Sequence, residues 1–244
     1  MIRTELQDVL FNVTEIYDSI EGEGVQAGKL TTFVRFAGCN LSCKWCDSKY
    51  SLGVDRKTKL MTPWNIVKEI KHKNVTLTGG EPLWRNGIIP FIGYLLQQGY
   101  HVNLETNGSL PIKKLNSLPN RKHLTIMMDY KAKSSNNRPT TKMENFNYLK
   151  DWDAVKFVIA SEDDFNEFLD VWEHTISGRS IFYSGSRKYQ VFLSSCFQQV
   201  YPDALYKLQC VGWMRTNNTR EYEQRVRLQL QMHKYIWPPE MRGV

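Results

Sequence analysis

The chain has 244 residues, 41% hydrophobic and 23% charged, with 12 Tyr, 11 Phe, 7 Trp and a formal charge of +7. That length and apolar content can bury a core without disulfide staples and exclude disorder, while no apolar run approaches the ~18 residues of a membrane span. Lys and Arg are scattered rather than clustered, which argues against nucleic acid or a membrane as partner. The first residues, MIRTELQDVLFNVTEIYDSIEGEG, hold no apolar signal core, so a cytoplasmic location is expected.

In chain order, Thr31 to Phe36 is rich in β-branched and aromatic residues and predicts a strand. It runs through Ala37-Gly38 into a cysteine loop. A helix is predicted from Pro63 to Lys71, with Thr62 as its cap and Pro63 in its first turn. A strand at Asn74 to Thr78, a Gly-Gly loop and a helix from Gly87 to Gln98 follow, with Gly99 as a stop. His101 to Glu105, Leu124 to Met128 and Ala154 to Ala160 read as strands, and Lys131 to Met143 as a polar loop. Glu162 to Trp172 has helical spacing of Phe165, Phe168, Leu169 and Trp172, which assigns those rings to the core. Val226 to Met232 alternates with period two and predicts a half-buried strand. Ser184 to Asn218 shows no clean pattern. Strand–helix alternation of this kind predicts an α/β fold with a mostly parallel sheet, open or curled into a barrel, and one domain over 1–244.

Cys39, Cys43 and Cys46 fall within eight residues of one another as CxxxCxxC; Cys196 and Cys210 lie far off and are expected to be buried free thiols. Clustered thiols in a reducing compartment point to metal or catalysis, not disulfides. Three thiolates on one loop can hold three irons of a [4Fe-4S] cube and leave the fourth iron open. Residue types alone also allow a structural zinc site completed by His72, Cys196 or Cys210. His72, His123 and His174 are expected at the surface or its boundary, and His233 in a structural role.

CxxxCxxC with Trp45 before the last cysteine, together with Thr78-Gly79-Gly80-Glu81-Pro82 after a strand, resembles the radical S-adenosylmethionine (SAM) superfamily. Further segments resemble its 7-carboxy-7-deazaguanine synthases: Ser19-Ile20-Glu21-Gly22-Glu23-Gly24, Phe33 to Cys39, Cys46-Asp47-Ser48, Glu105 to Gly108, Met128 to Lys131, and the ending His233 to Val244. The match is poor over about 182–219. The resemblance implies a shortened radical SAM-type barrel with mostly parallel strands, a homodimer, and conversion of 6-carboxy-5,6,7,8-tetrahydropterin to 7-carboxy-7-deazaguanine with loss of ammonia. It implies a [4Fe-4S] cluster on Cys39, Cys43 and Cys46 within the 39–46 loop, and SAM near Trp45, Cys46, Asp47, Gly80, Asp129, Tyr130 and Lys131. It also implies Mg²⁺ at Ser48 and a low-potential electron donor such as flavodoxin or ferredoxin. The pterin is expected at Ile20, Glu21, Gly22, Arg35, Thr78 and the carboxylate of Val244. Glu21 stands where that family usually carries Gln, so it can accept as an amide oxygen does but, ionised, offers no N–H. No side chain is assigned as acid or base. Two other functions compete: a glycyl-radical-enzyme activase and a zinc-bearing binding module.

Overall fold

The computed structural model describes residues 2–137, 140–177, 188–197, 199–217, 219–238 and 241–243. Among the described residues nine strands form one sheet: β1 (Phe11–Ile20), β2 (Leu30–Phe36), β3 (Lys59–Met61), β4 (Asn74–Gly79), β5 (His101–Thr106), β6 (Leu124–Tyr130), β7 (Ala154–Ile159), β8 (Gln190–Ser195) and β9 (Val226–Gln229). Their order is β3-β1-β2-β4-β5-β6-β7-β8-β9, so β3 and β9 are edges and the sheet does not close. From β2 through β9 every neighbouring pair is parallel. β1 runs antiparallel to both β2 and β3. The helices are α1 (Ile2–Glu5), α2 (Pro63–Glu69), α3 (Ile88–Gln97), α4 (Glu162–Val171), α5 (Pro202–Arg215), α6 (Thr219–Arg225) and α7 (His233–Ile236). None is long and apolar enough among the described residues to cross a membrane.

Local chemistry explains the boundaries. Thr62 caps α2 by accepting from the Asn65 N–H, and Ser161 does the same for α4 from Asp164. After α4 the chain widens into one π-helical turn at Trp172–Ile176, so the buried Trp172 closes the helix rather than extending it. Strand β1 was not evident in the sequence. The unpatterned stretch 184–218 contains β8 and α5, and its residues 184–187, 198 and 218 lie outside the described ones. The strand expected at Val226 to Met232 stops at Gln229, because the Met232 N–H turns back to the Gly22 carbonyl at 3.2 Å.

Side chains alternate between two faces of the parallel strands. One face carries Val75, Leu77, Val102, Leu104, Ile126, Met128, Tyr130, Val155, Phe157, Val191 and Leu193, all in a single buried cluster with Phe91 of α3 and Phe165 and Phe168 of α4. The other face is polar: Arg35, Thr76, Thr78, Asn103, Glu105, Asp129 and Lys156. A core on one side and a site on the other follow from that alternation.

Two backbone features hold the site's rim. The loops after β2 and β4 are joined by Gly80 N–H to Phe36 O (2.9 Å) and Glu81 N–H to Gly38 O (3.0 Å). A Cβ on Gly80 would stand 1.9 Å from the Gly38 carbonyl oxygen, so only glycine permits that approach. On the core side, the fully buried Asp153 accepts from Ile126 N–H (2.8 Å) and Lys150 N–H (2.7 Å) and pairs with Arg121 at 2.5 Å. Removing it as Asp153→Ala strands Arg121 and the buried Ile126 N–H and frees the Lys150 N–H, at a cost of about 3–5 kcal/mol, and the melting temperature should fall by roughly 10 °C. Gly80→Ala should cost about 1–3 kcal/mol through overpacking and displace the Gly38–Cys39 backbone, read as a lowered melting temperature together with reduced iron uptake on reconstitution.

Candidate active site

A cavity of about 700 Å³ lies over the polar face of the sheet. One wall is the loop after β2. Cys39, Cys43 and Cys46 all line the cavity and are partly buried. Donors face the sulfurs: Leu41 N–H to Cys39 Sγ at 3.4 Å and Asn107 Nδ2 to the same atom at 3.7 Å. Burial pushes the Cys39 and Cys43 thiols above their ordinary values, so a bound cation is what would make them thiolates. Among the described residues no three His, Cys, Asp or Glu side chains converge on one ion. A cuboidal cluster needs no such convergence, since each thiolate takes its own iron.

Glu81 of the Gly-Gly-Glu-Pro loop braces this wall. It is fully buried, accepts from Leu83 N–H, Thr106 Oγ1 and Asn107 N–H at 3.0, 2.8 and 2.7 Å, and burial raises it to about 6. Asn107, so held, also donates to Asn40 Oδ1 at 3.0 Å, tying the end of β5 to the cysteine loop.

The opposite wall carries charge. Arg35 donates Nε to Glu15 (2.8 Å) and Nη2 to Tyr17 Oη (2.8 Å), and its guanidinium lies 5.8 Å from both the Tyr17 and Tyr50 ring centres. Burial alone would lower Arg35; Tyr17, Tyr50 and Glu15 more than offset it and hold the residue above its ordinary value. Nη1 makes no hydrogen bond among the described residues and is left for a ligand. Across the floor, Lys156 reaches Glu23 at 2.5 Å and Asp129 at 3.2 Å, and Lys131 reaches Asp129 at 2.8 Å. Burial would raise Asp129, but the two lysines hold it below the usual carboxylate range. Thr78 donates to Glu105, and Glu21 accepts from Thr76 and Asn103.

The structure brings together nearly all the residues expected to form a site: Ile20, Glu21, Gly22, Arg35, Cys39, Cys43, Trp45, Cys46, Asp47, Ser48, Thr78, Gly80, Asp129 and Lys131 line the one cavity. The Tyr130 side chain does not line the cavity. The same alternation that turns Asp129 and Lys131 toward the cavity buries the Tyr130 ring against Phe157 and Phe146, with its hydroxyl on Glu167. Val244 lies outside the described residues, although Met241, Arg242 and Gly243 line the cavity. His233, expected in a structural role, lines the cavity and packs against Gly22, where a Cβ would stand 2.6 Å from its Nδ1. Cys196 is buried but in the cavity wall, and Cys210 is exposed rather than buried. Lys156 was not singled out in the sequence, and Glu23 and Glu105 stood only inside matched segments, with no role. The signal was a charge inside an otherwise apolar strand, as in Ala-Val-Lys156-Phe-Val-Ile.

Residues 33–171 match the radical SAM superfamily model. A 7-carboxy-7-deazaguanine synthase of Clostridium acetobutylicum is 37% identical over 238 residues, covering 96% of this chain and 99% of that relative. One from Koribacter versatilis is 33% identical over 241 residues, covering 95% and 99%. The fold is similar to the crystal structure of QueE from Escherichia coli, with a TM-score of 0.69 at 15% identity over 93% of this chain and 97% of that one. The cysteine loop, the Gly80 approach and similarity along the whole chain lead to one conclusion: this chain is a radical SAM enzyme belonging to the 7-carboxy-7-deazaguanine synthase family.

Proposed function

We propose that the chain converts 6-carboxy-5,6,7,8-tetrahydropterin to 7-carboxy-7-deazaguanine and ammonia, as a cytoplasmic homodimer in 7-deazapurine (queuosine) synthesis that receives electrons from a low-potential flavodoxin or ferredoxin. The observation that carries this reading is one cavity with three thiols on one wall and an anchored, half-free guanidinium on the other. Family membership favours it over a glycyl-radical-enzyme activase and a zinc module.

When bound, a [4Fe-4S] cluster on Cys39, Cys43 and Cys46 with SAM supplies one-electron reduction and hydrogen abstraction. The protein's own part is to bind, orient and shield. Trp45, Cys46 and Asp47 with Gly80, Asp129, Lys131 and the Tyr130 backbone form the SAM side. There Asp129 is kept ionised by two lysines and so accepts from hydroxyl or ammonium donors. Among the described residues, the Ser48 hydroxyl has one hydrogen-bonding contact, with Cys46 Sγ at 3.9 Å. It is the residue that would hold Mg²⁺, an ion that takes few protein oxygens and keeps waters and substrate oxygens for the rest. Arg35 grips the substrate carboxylate through a planar fork that Glu15 and the two tyrosines aim. Ile20, Glu21, Gly22 and Thr78 surround the heterocycle, with Glu21 held by Thr76 and Asn103 and Glu105 by Thr78.

Anaerobic reconstitution with iron, sulfide, reductant, SAM, Mg²⁺ and the carboxypterin should yield product of deazaguanine mass and about four irons per chain. Equal, slow 5′-deoxyadenosine release with and without the pterin, and no deazaguanine, would sink the reading. Cys43→Ala should abolish both the visible absorbance and turnover. Arg35→Lys keeps charge but loses the fork, and should raise KM for the pterin by about 10- to 100-fold, the worth of one charge-assisted hydrogen bond, measured by steady-state product formation.

A further inference from the structure

Glu21 sits between two cavities. It lines the large one and also a second, of about 50 Å³, together with Gln26, Lys29, Thr76, His101, Asn103 and Thr125. The second holds a water or two and opens beside the exposed Lys29, His101 and Lys122, on the side away from the cysteines. Glu21 itself is 2% exposed. Its Oε2 accepts from Thr76 Oγ1 (2.6 Å) and Asn103 Nδ2 (3.0 Å), while Oε1 takes no hydrogen bond among the described residues.

The cations on the floor are already engaged. Lys156 holds Glu23 and Asp129, Lys131 holds Asp129, and among the described residues no ion pair reaches Glu21 or Glu105. Glu21 is buried with no cation paired to it, and Glu105 beside it is half-buried and feels Lys156 and Arg35 only without a direct ion pair, so keeping both ionised is costly, most of all for Glu21. Burial first, then Glu105 and Glu23, raise Glu21 to about 8, and burial raises Glu105 as well. The other charged or titratable groups lining the large cavity are Tyr17 on β1, Arg35 on β2, the three thiols with Asp47, Lys49 and Tyr50 after it, Asp129 and Lys131 at the end of β6, Lys156 on β7, Cys196 after β8, His233 and Lys234 on α7, and Arg242. On the far side they are Lys29, His101, Lys122 and His123.

We propose that Glu21 meets the heterocycle as a neutral carboxylic acid, its O–H donating to a ring acceptor while its other oxygen stays on Thr76 and Asn103. This rests on the pterin reading above and deepens it: one side chain then supplies the donor that an ionised carboxylate lacks. The small cavity gives the proton a path to water that bound substrate does not block. Because Glu21 is shifted upward, the neutral form prevails below about pH 8 and is lost as pH rises through that value.

The test is anaerobic calorimetry of carboxypterin binding to the cluster-loaded protein with SAM, from about pH 6.5 to about 9.5, in two buffers of different ionisation enthalpy. Wild type should lose about tenfold in affinity per pH unit above the midpoint and take up close to one proton per pterin bound at the alkaline end. Glu21→Gln, permanently neutral, should show neither the fall nor the uptake. Infrared difference spectra should show a protonated-carboxyl C=O band in wild type that Glu21→Gln lacks; this readout and the wild-type proton count stand even if the variant folds poorly. A flat wild-type profile without proton uptake overturns the proposal, as does the same alkaline fall in Glu21→Gln. No binding heat from either protein at any pH takes down the pterin reading itself, and the proposal with it.

Discussion

The alternation of polar and apolar side chains along the parallel strands is the constraint on which the molecule depends. Parallel strands are usually buried on both faces and read as continuous apolar runs. Here Thr76-Leu77-Thr78, Asn103-Leu104-Glu105 and Lys156-Phe157 place every second residue on a polar face. That face is out of bulk water, so each charge on it must find a partner within the sheet or change protonation state. The pairing of Lys156 with Glu23 and Asp129 answers this for part of the floor, and the Glu21 and Glu105 carboxyls are what remains.

The second constraint is backbone proximity. The cysteine loop belongs to β2 and the Gly-Gly-Glu-Pro loop to β4, adjacent parallel strands whose ends are joined by two backbone hydrogen bonds. Glycine at position 80 lets those loops touch, and Glu81, one residue on, ties both to the end of β5 through Thr106 and Asn107. The thiols are thus held from outside their own loop, by three strands. Such support keeps a ligand set in place before the metal arrives.

The fold was legible where periodicity and end signals coincided, as in α2 with its Thr62 cap and in the apolar halves of β4 to β7. It was not legible in β1, where the partly exposed face lies toward the cavity rim and no apolar run forms. Nor was it in α5, whose Tyr206, Trp213 and Met214 are exposed and blur any amphipathic stripe. The burial of the Tyr130 ring was not legible for a related reason: a motif names adjacent residues, whereas a strand sends neighbours to opposite faces.

The sequence by itself determined the thiol set, the glycine that the loop contact requires, and the alternation that separates core from site, because each is a property of neighbouring residues. It also carried the family resemblance. Only the tertiary structure decided which carboxylates have a cation and which do not. Glu23 and Lys156 are 133 residues apart, and Glu21 is 82 from the Asn103 that holds it. Charge pairing acts through space between strands, so the electrostatic state of the floor existed only once the sheet had brought those positions together.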